Sequence, residues 1–289
     1  MTPPLAHRRR ALGVLAVSGP DREAFLQGQL TQDARGLRRG EARPMAGLTA
    51  KGKLLYFGWL VGEEDRALLL VPTSARDAAR GHLARFAVFQ KVSVEEVTDR
   101  YAVWGVYGAE ASALALPSDA VALPADGEMS GGVLAPSPDA DRVVAALADA
   151  GSRELSEPEA EVLRIEAGRP RFGIDADGSN LPDEVGLQNT ISADKGCYVG
   201  QEVVARLRTY GKVSRRLVGF RFAERPLPRG TVFPDPEKPD HELGRVTSSA
   251  ASPRFGPIGL GFASRGVDAG AALKAPGGAS AIVTGLPFA

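Results

Sequence analysis

The chain has 289 residues, with 35 Lys plus Arg against 35 Asp plus Glu, so its formal charge is zero; 44% of its residues are hydrophobic. These totals are those of an ordinary globular protein. They give no global attraction to nucleic acid or to a membrane surface, and no apolar run is long enough to span a bilayer. The single cysteine excludes an internal disulfide, fits a reducing cytoplasm, and cannot alone hold a metal cluster, which needs several thiolates.

In chain order, Arg8-Arg9-Arg10 before the apolar run Ala11 to Val17 imitates an export signal. The run is short, however, and ends in the turn sequence Ser18-Gly19-Pro20-Asp21, so we read it as a buried first strand. Ser18 with Asp21 marks a helix start, and Gly28 a stop. Lys53 to Val61 and Arg66 to Val71 read as a hairpin, and Ser74 with Asp77 opens a helix towards Phe86. Val92 to Val97 and Tyr101 to Tyr107 read as strands, and Val121 to Pro136 as short strands and loops. Ser137-Pro138-Asp139 starts a helix that Gly151 stops. Ser156 with Glu159 forms a capping box, and Gly168 and Pro170 end the helix that carries Glu166. Residues 174 to 194 read as an ordered loop. From Arg215 onward, short strand-like runs split by turns predict a small β-barrel.

The most distinctive stretch is Asp194-Lys195-Gly196-Cys197-Tyr198-Val199-Gly200-Gln201-Glu202, which holds the only cysteine. Val199, Val203 and Leu207 recur every four residues and predict a helix beginning near Tyr198, which places Cys197 at its N-terminal end. There the helix dipole and the charge of Lys195 would favour a thiolate. Spacing alone leaves two readings open, a reactive thiol and a buried structural cysteine.

The string Lys-Gly-Cys-Tyr-x-Gly-Gln-Glu resembles the signature of the YgfZ family, folate-binding proteins of iron–sulfur cluster assembly and repair that are related to GcvT, the aminomethyltransferase of glycine cleavage. Leu163 to Asp175, with Glu166 at a helix end, resembles a second motif shared by both groups. Gly19 to Asp33 and Gly244 to Ala250 resemble the family's opening and its C-terminal domain. The resemblance implies an α+β fold, a GcvT-like ring of three domains. Residues 1–205 would be a folate-binding region of two intertwined subdomains, one over roughly 50–92, and 206–289 a β-barrel. It also implies tetrahydrofolate or another folate as cofactor. Glu166 would accept N–H groups of the pterin, and Arg206, Gln201, Glu202, Tyr198 and Asp33 are further folate-site candidates. For Asp33 and Thr31 the residues themselves favour a plain turn. Cys197 and Lys195 would carry the chemistry beside the pterin pocket, with Cys197 in transient contact with an iron–sulfur cluster, a persulfide or a client thiol.

The sequence departs from the transferases where they carry an acidic pair. Here Ala50 to Phe57 brings aromatics instead, and a cysteine appears where the transferases have an apolar residue. That exchange favours an iron–sulfur role, with support to tRNA-modifying iron–sulfur enzymes as one form of it, over a stand-alone enzyme. The rival reading is a folate-dependent aminomethyltransferase with Glu202 or Asp194 supplying the carboxylate; a third is a plain binding module for a partner enzyme. Expected partners are folate and iron–sulfur assembly or client proteins, with no direct nucleic-acid binding and no membrane. His7, His82 and His241 lack metal-ligand spacing, so no resident metal is expected. Arg206, Arg208, Lys212, Arg215 and Arg216 form a local basic cluster, read as a solvated face apart from Arg206.

Overall fold

The computed structural model describes residues 4–125, 131–211 and 213–289. Lys212 and part of the Val121 to Pro136 segment, residues 126–130, lie outside the described residues.

The N-terminal apolar run is one buried strand, as expected, but it is the second of the chain and not the first. β1 (Ala6–Arg10) contains the three arginines, and β2 (Leu12–Ser18) follows after Ala11. Next come α1 (Arg22–Gln29), β3 (Ala42–Leu48), β4 (Leu54–Gly62), β5 (Arg66–Pro72), α2 (Arg76–Ala87) and β6 (Ser93–Glu96). β2 to β6 build one sheet in the order β3-β4-β5-β2-β6. Its strands are apolar on both faces because both faces are covered. Leu15, Val17, Tyr56 and Leu69 meet α1 and α2, while Val14, Trp59 and Leu70 meet a second sheet.

That second sheet has the order β10-β1-β7-β9-β8, from β7 (Tyr101–Tyr107), β8 (Val121–Leu123), β9 (Gly132–Pro136) and β10 (Arg153–Glu154). Its outer face, with Trp104 and Val133, is covered by Val143 and Leu147 of α3 (Ala140–Asp149). The layers run helix, sheet, sheet, helix. α4 (Glu157–Glu166) and α5 (Gln201–Tyr210) follow, and then a six-stranded sheet. This is made of β11 (Arg215–Phe222), β12 (Val232–Pro234), β13 (Glu242–Ser252), β14 (Gly256–Ser264), β15 (Ala272–Lys274) and β16 (Ser280–Thr284). Its order is β12-β13-β14-β11-β16-β15, and β12 approaches β15, so it is nearly closed into a barrel. The chain is thus α+β with a C-terminal barrel, as the sequence leads one to expect.

Several local expectations need correction. α1 has no side-chain cap; the Asp21 carboxylate accepts instead from the backbone N–H of Lys91 at 2.8 Å, and α1 runs through Gly28. β3 and β12 were not anticipated from the sequence. α5 starts at Gln201, three residues later than Tyr198, because Gly200 adopts a left-handed φ of 85°.

A buried charged cluster helps to fasten the barrel to the rest. Arg164 of α4 and Asp175 are each 1% exposed, and their side chains meet at 2.7 Å. The other Asp175 oxygen accepts from Ser248 at 2.7 Å and from Thr247, both on β13. Arg164 also donates to Ser248 at 2.8 Å, to the Arg169 carbonyl at 2.5 Å, and to Glu161. Removing one member of a buried ion pair strands the other, which costs about 3–5 kcal/mol. Asp175→Ala is therefore expected to lower stability by about that amount in denaturant unfolding, and the double variant Arg164→Met, Asp175→Ala by much less than the sum of the two single losses. A single-variant loss under about 1 kcal/mol, the range of an exposed pair, would contradict this.

Candidate functional site

Two local signals place Glu166. α4 begins with a complete capping box, in which Ser156 accepts from Glu159 N–H and the Glu159 side chain returns to Ser156 N–H. It ends immediately after Glu166 in a Schellman turn: Arg169 N–H bonds Arg164 O at 3.1 Å, and Gly168 N–H bonds Ile165 O at 2.9 Å. Gly168 has φ 69°, and a Cβ there would sit 2.7 Å from Leu286. The turn therefore needs glycine twice over, for its backbone and for the approach of the barrel.

The Glu166 carboxylate is 6% exposed. Ser252, at the end of β13, donates to Oε1 at 2.5 Å, and Arg254 reaches Oε2 at 3.3 Å. The backbone N–H of Phe288 bonds the Glu166 carbonyl at 2.9 Å. These residues lie in a cleft of about 450 Å³ walled by Tyr107, Leu163, Pro287 and Phe288, with Glu110, Arg169 and Arg254 as its other charged groups. A larger cleft of about 670 Å³ adjoins it and shares Ala167, Arg169 and Pro287. It runs between the 185–189 segment and the barrel, where Arg216 is a second cation.

The Cys197 stretch forms a strap across α1. Lys195 is 7% exposed, and its ammonium donates to the carbonyls of Gln27 (2.7 Å), Leu30 (2.5 Å) and Gln32 (3.0 Å). It also lies 5.0 Å from the Tyr198 ring centroid. Burial pulls its pKa down to about 8, while the nearby Asp33 charge supports the ammonium. The carbonyls at a helix C-terminus are natural partners for a cation. Lys195 is thus directed to the end of α1, not to the thiol. Val199 N–H bonds Gly28 O at 3.1 Å. A Cβ on Gly200 would lie 2.6 Å from Thr49 O, so the strap also rests on the turn between β3 and β4. Behind it, Val204 packs on Leu48, Leu54, Val185, Leu187 and Ile191.

Cys197 itself is exposed and precedes α5 by four residues rather than capping it. Glu202 and Arg206 lie on the exposed side of α5, and Gln201 and Tyr198 are half-buried. Asp33 closes a turn, accepting from Arg35 N–H at 3.1 Å and pairing with its guanidinium at 3.2 Å; that pairing holds its pKa below the usual carboxylate range. Thr31 is buried and bonds the carbonyls of Thr190 and Ala46. Tyr56, in the stretch where the sequence lacks acids, is wholly buried and bonds His82 at 2.9 Å; Phe57, on the opposite face, packs edge-on against Phe172. The expected juxtaposition of thiol and pterin pocket is not found in either cleft. Among the described residues, the linings of the two clefts include none from 194 to 206. Sequence reasoning missed Ser252 and Arg254, which reach Glu166 from 86 and 88 residues away. No spacing signal connects positions so distant.

Lys195→Met removes the donor from three carbonyls at the end of α1. The amide exchange of Val199 is then expected to rise by at least about tenfold, with Cys197 still open to alkylation. Unchanged exchange would show that the strap does not depend on this ammonium.

No family model matches the chain. Similar proteins named tRNA-modifying protein YgfZ occur in Edwardsiella ictaluri (35% identical over 235 residues, 74% of this chain and 70% of the relative) and in Colwellia psychrerythraea (28% over 220 residues, 71% and 68%). Another, from Klebsiella pneumoniae, is 33% identical over 221 residues, 70% of this chain and 66% of the relative. Among solved structures, the glycine cleavage system aminomethyltransferase T of Bartonella henselae superposes with a TM-score of 0.82 over 99% of this chain and 86% of its own, at 20% identity. That likeness establishes a common fold.

Proposed function

The chain belongs to the YgfZ family, and on that premise we propose that it binds tetrahydrofolate and serves iron–sulfur cluster assembly or repair, in support of tRNA-modifying iron–sulfur enzymes, through the thiol of Cys197. The observation that carries the reading is an exposed cysteine on a strap bonded to α1 on both sides of it, by Lys195 and by Val199 N–H, with Gly200 in close approach to the turn between β3 and β4. Rigid support of a reachable thiol is what a transfer or ligation step requires. One thiolate cannot hold a cluster, so its remaining ligands come from a client or donor protein. Cys197 acts as a transient ligand. Tyr198 and Val199 hold the strap, and Glu202 and Arg206 present charges to a partner from the exposed face of α5.

The Glu166 cleft suits a pterin. Its volume is in the range of small-molecule sites, its walls combine apolar and aromatic side chains with a few charged groups, and its carboxylate retains acceptor capacity after Ser252 and Arg254 are counted. Bound tetrahydrofolate would supply a reduced ring that carries one-carbon units. The chain's own residues orient it: Glu166 accepts from the amino-pyrimidine edge, and Tyr107 and Phe288 cover apolar surface. The aminomethyltransferase reading lacks support in the Ala50 to Phe57 stretch, where Tyr56 and Phe57 are buried in core and present no carboxylate.

Two measurements test this together. In a strain lacking its own copy of the gene, wild type is expected to restore the activity of iron–sulfur tRNA-modifying enzymes and Cys197→Ser to fail. By calorimetry, Glu166→Ala is expected to lose tetrahydrofolate affinity by at least about tenfold, the scale of a charge-assisted hydrogen bond. Full complementation by Cys197→Ser would remove the thiol from the function.

A further inference from the structure

Resting on the reading of the Glu166 cleft as a pterin site, we infer that Arg254 is a specificity-determining residue that reads the 4-oxo group of the ring. Ser252 Oγ donates to Glu166 Oε1 at 2.5 Å and accepts from the backbone N–H groups of Arg254 and Phe255, each at 3.0 Å. One hydroxyl therefore fixes the carboxylate and the start of the turn that bears the arginine. The Arg254 guanidinium lies 3.3 Å from Glu166 Oε2 and 4.7 Å from the Phe255 ring centroid. Its side chain is 44% exposed and lines the same cleft. The site thus offers a paired acceptor with a cationic donor beside it.

The pyrimidine edge of a pterin has the complementary order. The 2-amino group and N3–H donate, and the neighbouring 4-oxo group accepts. A carboxylate takes the two donors, and a guanidinium next to it takes the oxygen. A 4-amino analogue keeps the 2-amino donor but carries no hydrogen on N3, a change felt at Glu166 alike in wild type and in Arg254 variants, and it turns a donor towards Arg254, which has no acceptor to offer. Sites built to pair with a polar group discriminate strongly against the analogue that lacks it. The simpler role for Arg254 is to neutralise a buried carboxylate. That role is indifferent to the substituent at position 4, so the two are separable by experiment.

The experiment is calorimetric titration of the full chain with tetrahydrofolate and with its 4-amino counterpart, using wild type, Arg254→Met and Arg254→Lys. The partly exposed side chain makes these substitutions tolerable to the fold. Arg254→Met is expected to shift the ratio of the two affinities by at least about tenfold against the 4-oxo ligand, mainly by weakening it. Arg254→Lys, which keeps the charge and a donor without the planar fork, is expected to recover part of that ratio. A parallel loss for both ligands, or an unchanged ratio, would overturn the inference and leave the folate reading standing. Absence of binding by wild type to either ligand would overturn both.

Discussion

The ion pair between Arg164 and Asp175 is the constraint on which the candidate ligand site depends. Its charges lie out of water, so the surrounding donors and acceptors must hold their positions. Arg164 comes from the last turn of α4, Asp175 from the loop that follows, and Thr247 and Ser248 from the barrel. Fixing these against one another also fixes what lies two residues beyond Arg164 and four beyond Ser248, namely Glu166 and Ser252. Apolar packing adds to the lock: Ile165 sits between them and buries itself on Ile258, Leu260 and Phe288. Buried ion pairs are weak contributors to net stability when compared with apolar replacements. Here the pair fixes the alignment of a helix end with a β-hairpin.

The thiol platform follows a different logic. Its fastening is mostly backbone: three carbonyls receive Lys195, one receives Val199 N–H, and Gly200 permits close approach. Such a platform tolerates changes in the surrounding side chains but not in the two residues that fit it. Lys195 has a structural occupation that accounts for its burial, and Cys197 is left free at the surface. The Glu166 cleft and the thiol thus lie in separate places on one scaffold, with Val185 and Leu187 lining the larger cleft and sharing a core cluster with Val204.

What could be read in advance followed the range of the interactions. The capping box at Ser156 and the stop at Gly168 are contacts within a few residues, and both are where the sequence puts them. The barrel was legible because short apolar runs and turn residues alternate. The start of α5 was misjudged because Val199 keeps the helical period while Gly200 breaks the helix, so periodicity and backbone freedom point to different residues. Lys195 was expected to serve its neighbour in sequence; its partners lie 163 to 168 residues earlier. The same holds for Ser252 and Arg254 at Glu166. Long-range polar partners carry no periodic signature, so the chemistry of a site can be legible while its arrangement is not.

The most direct measurement is a crystal structure of the full chain grown with saturating tetrahydrofolate. The predicted result is a pterin in the cleft between Tyr107 and Phe288, with its amino-pyrimidine edge on the Glu166 carboxylate. A pterin bound elsewhere, with Glu166 still held only by Ser252 and Arg254, would contradict the assignment of this cleft.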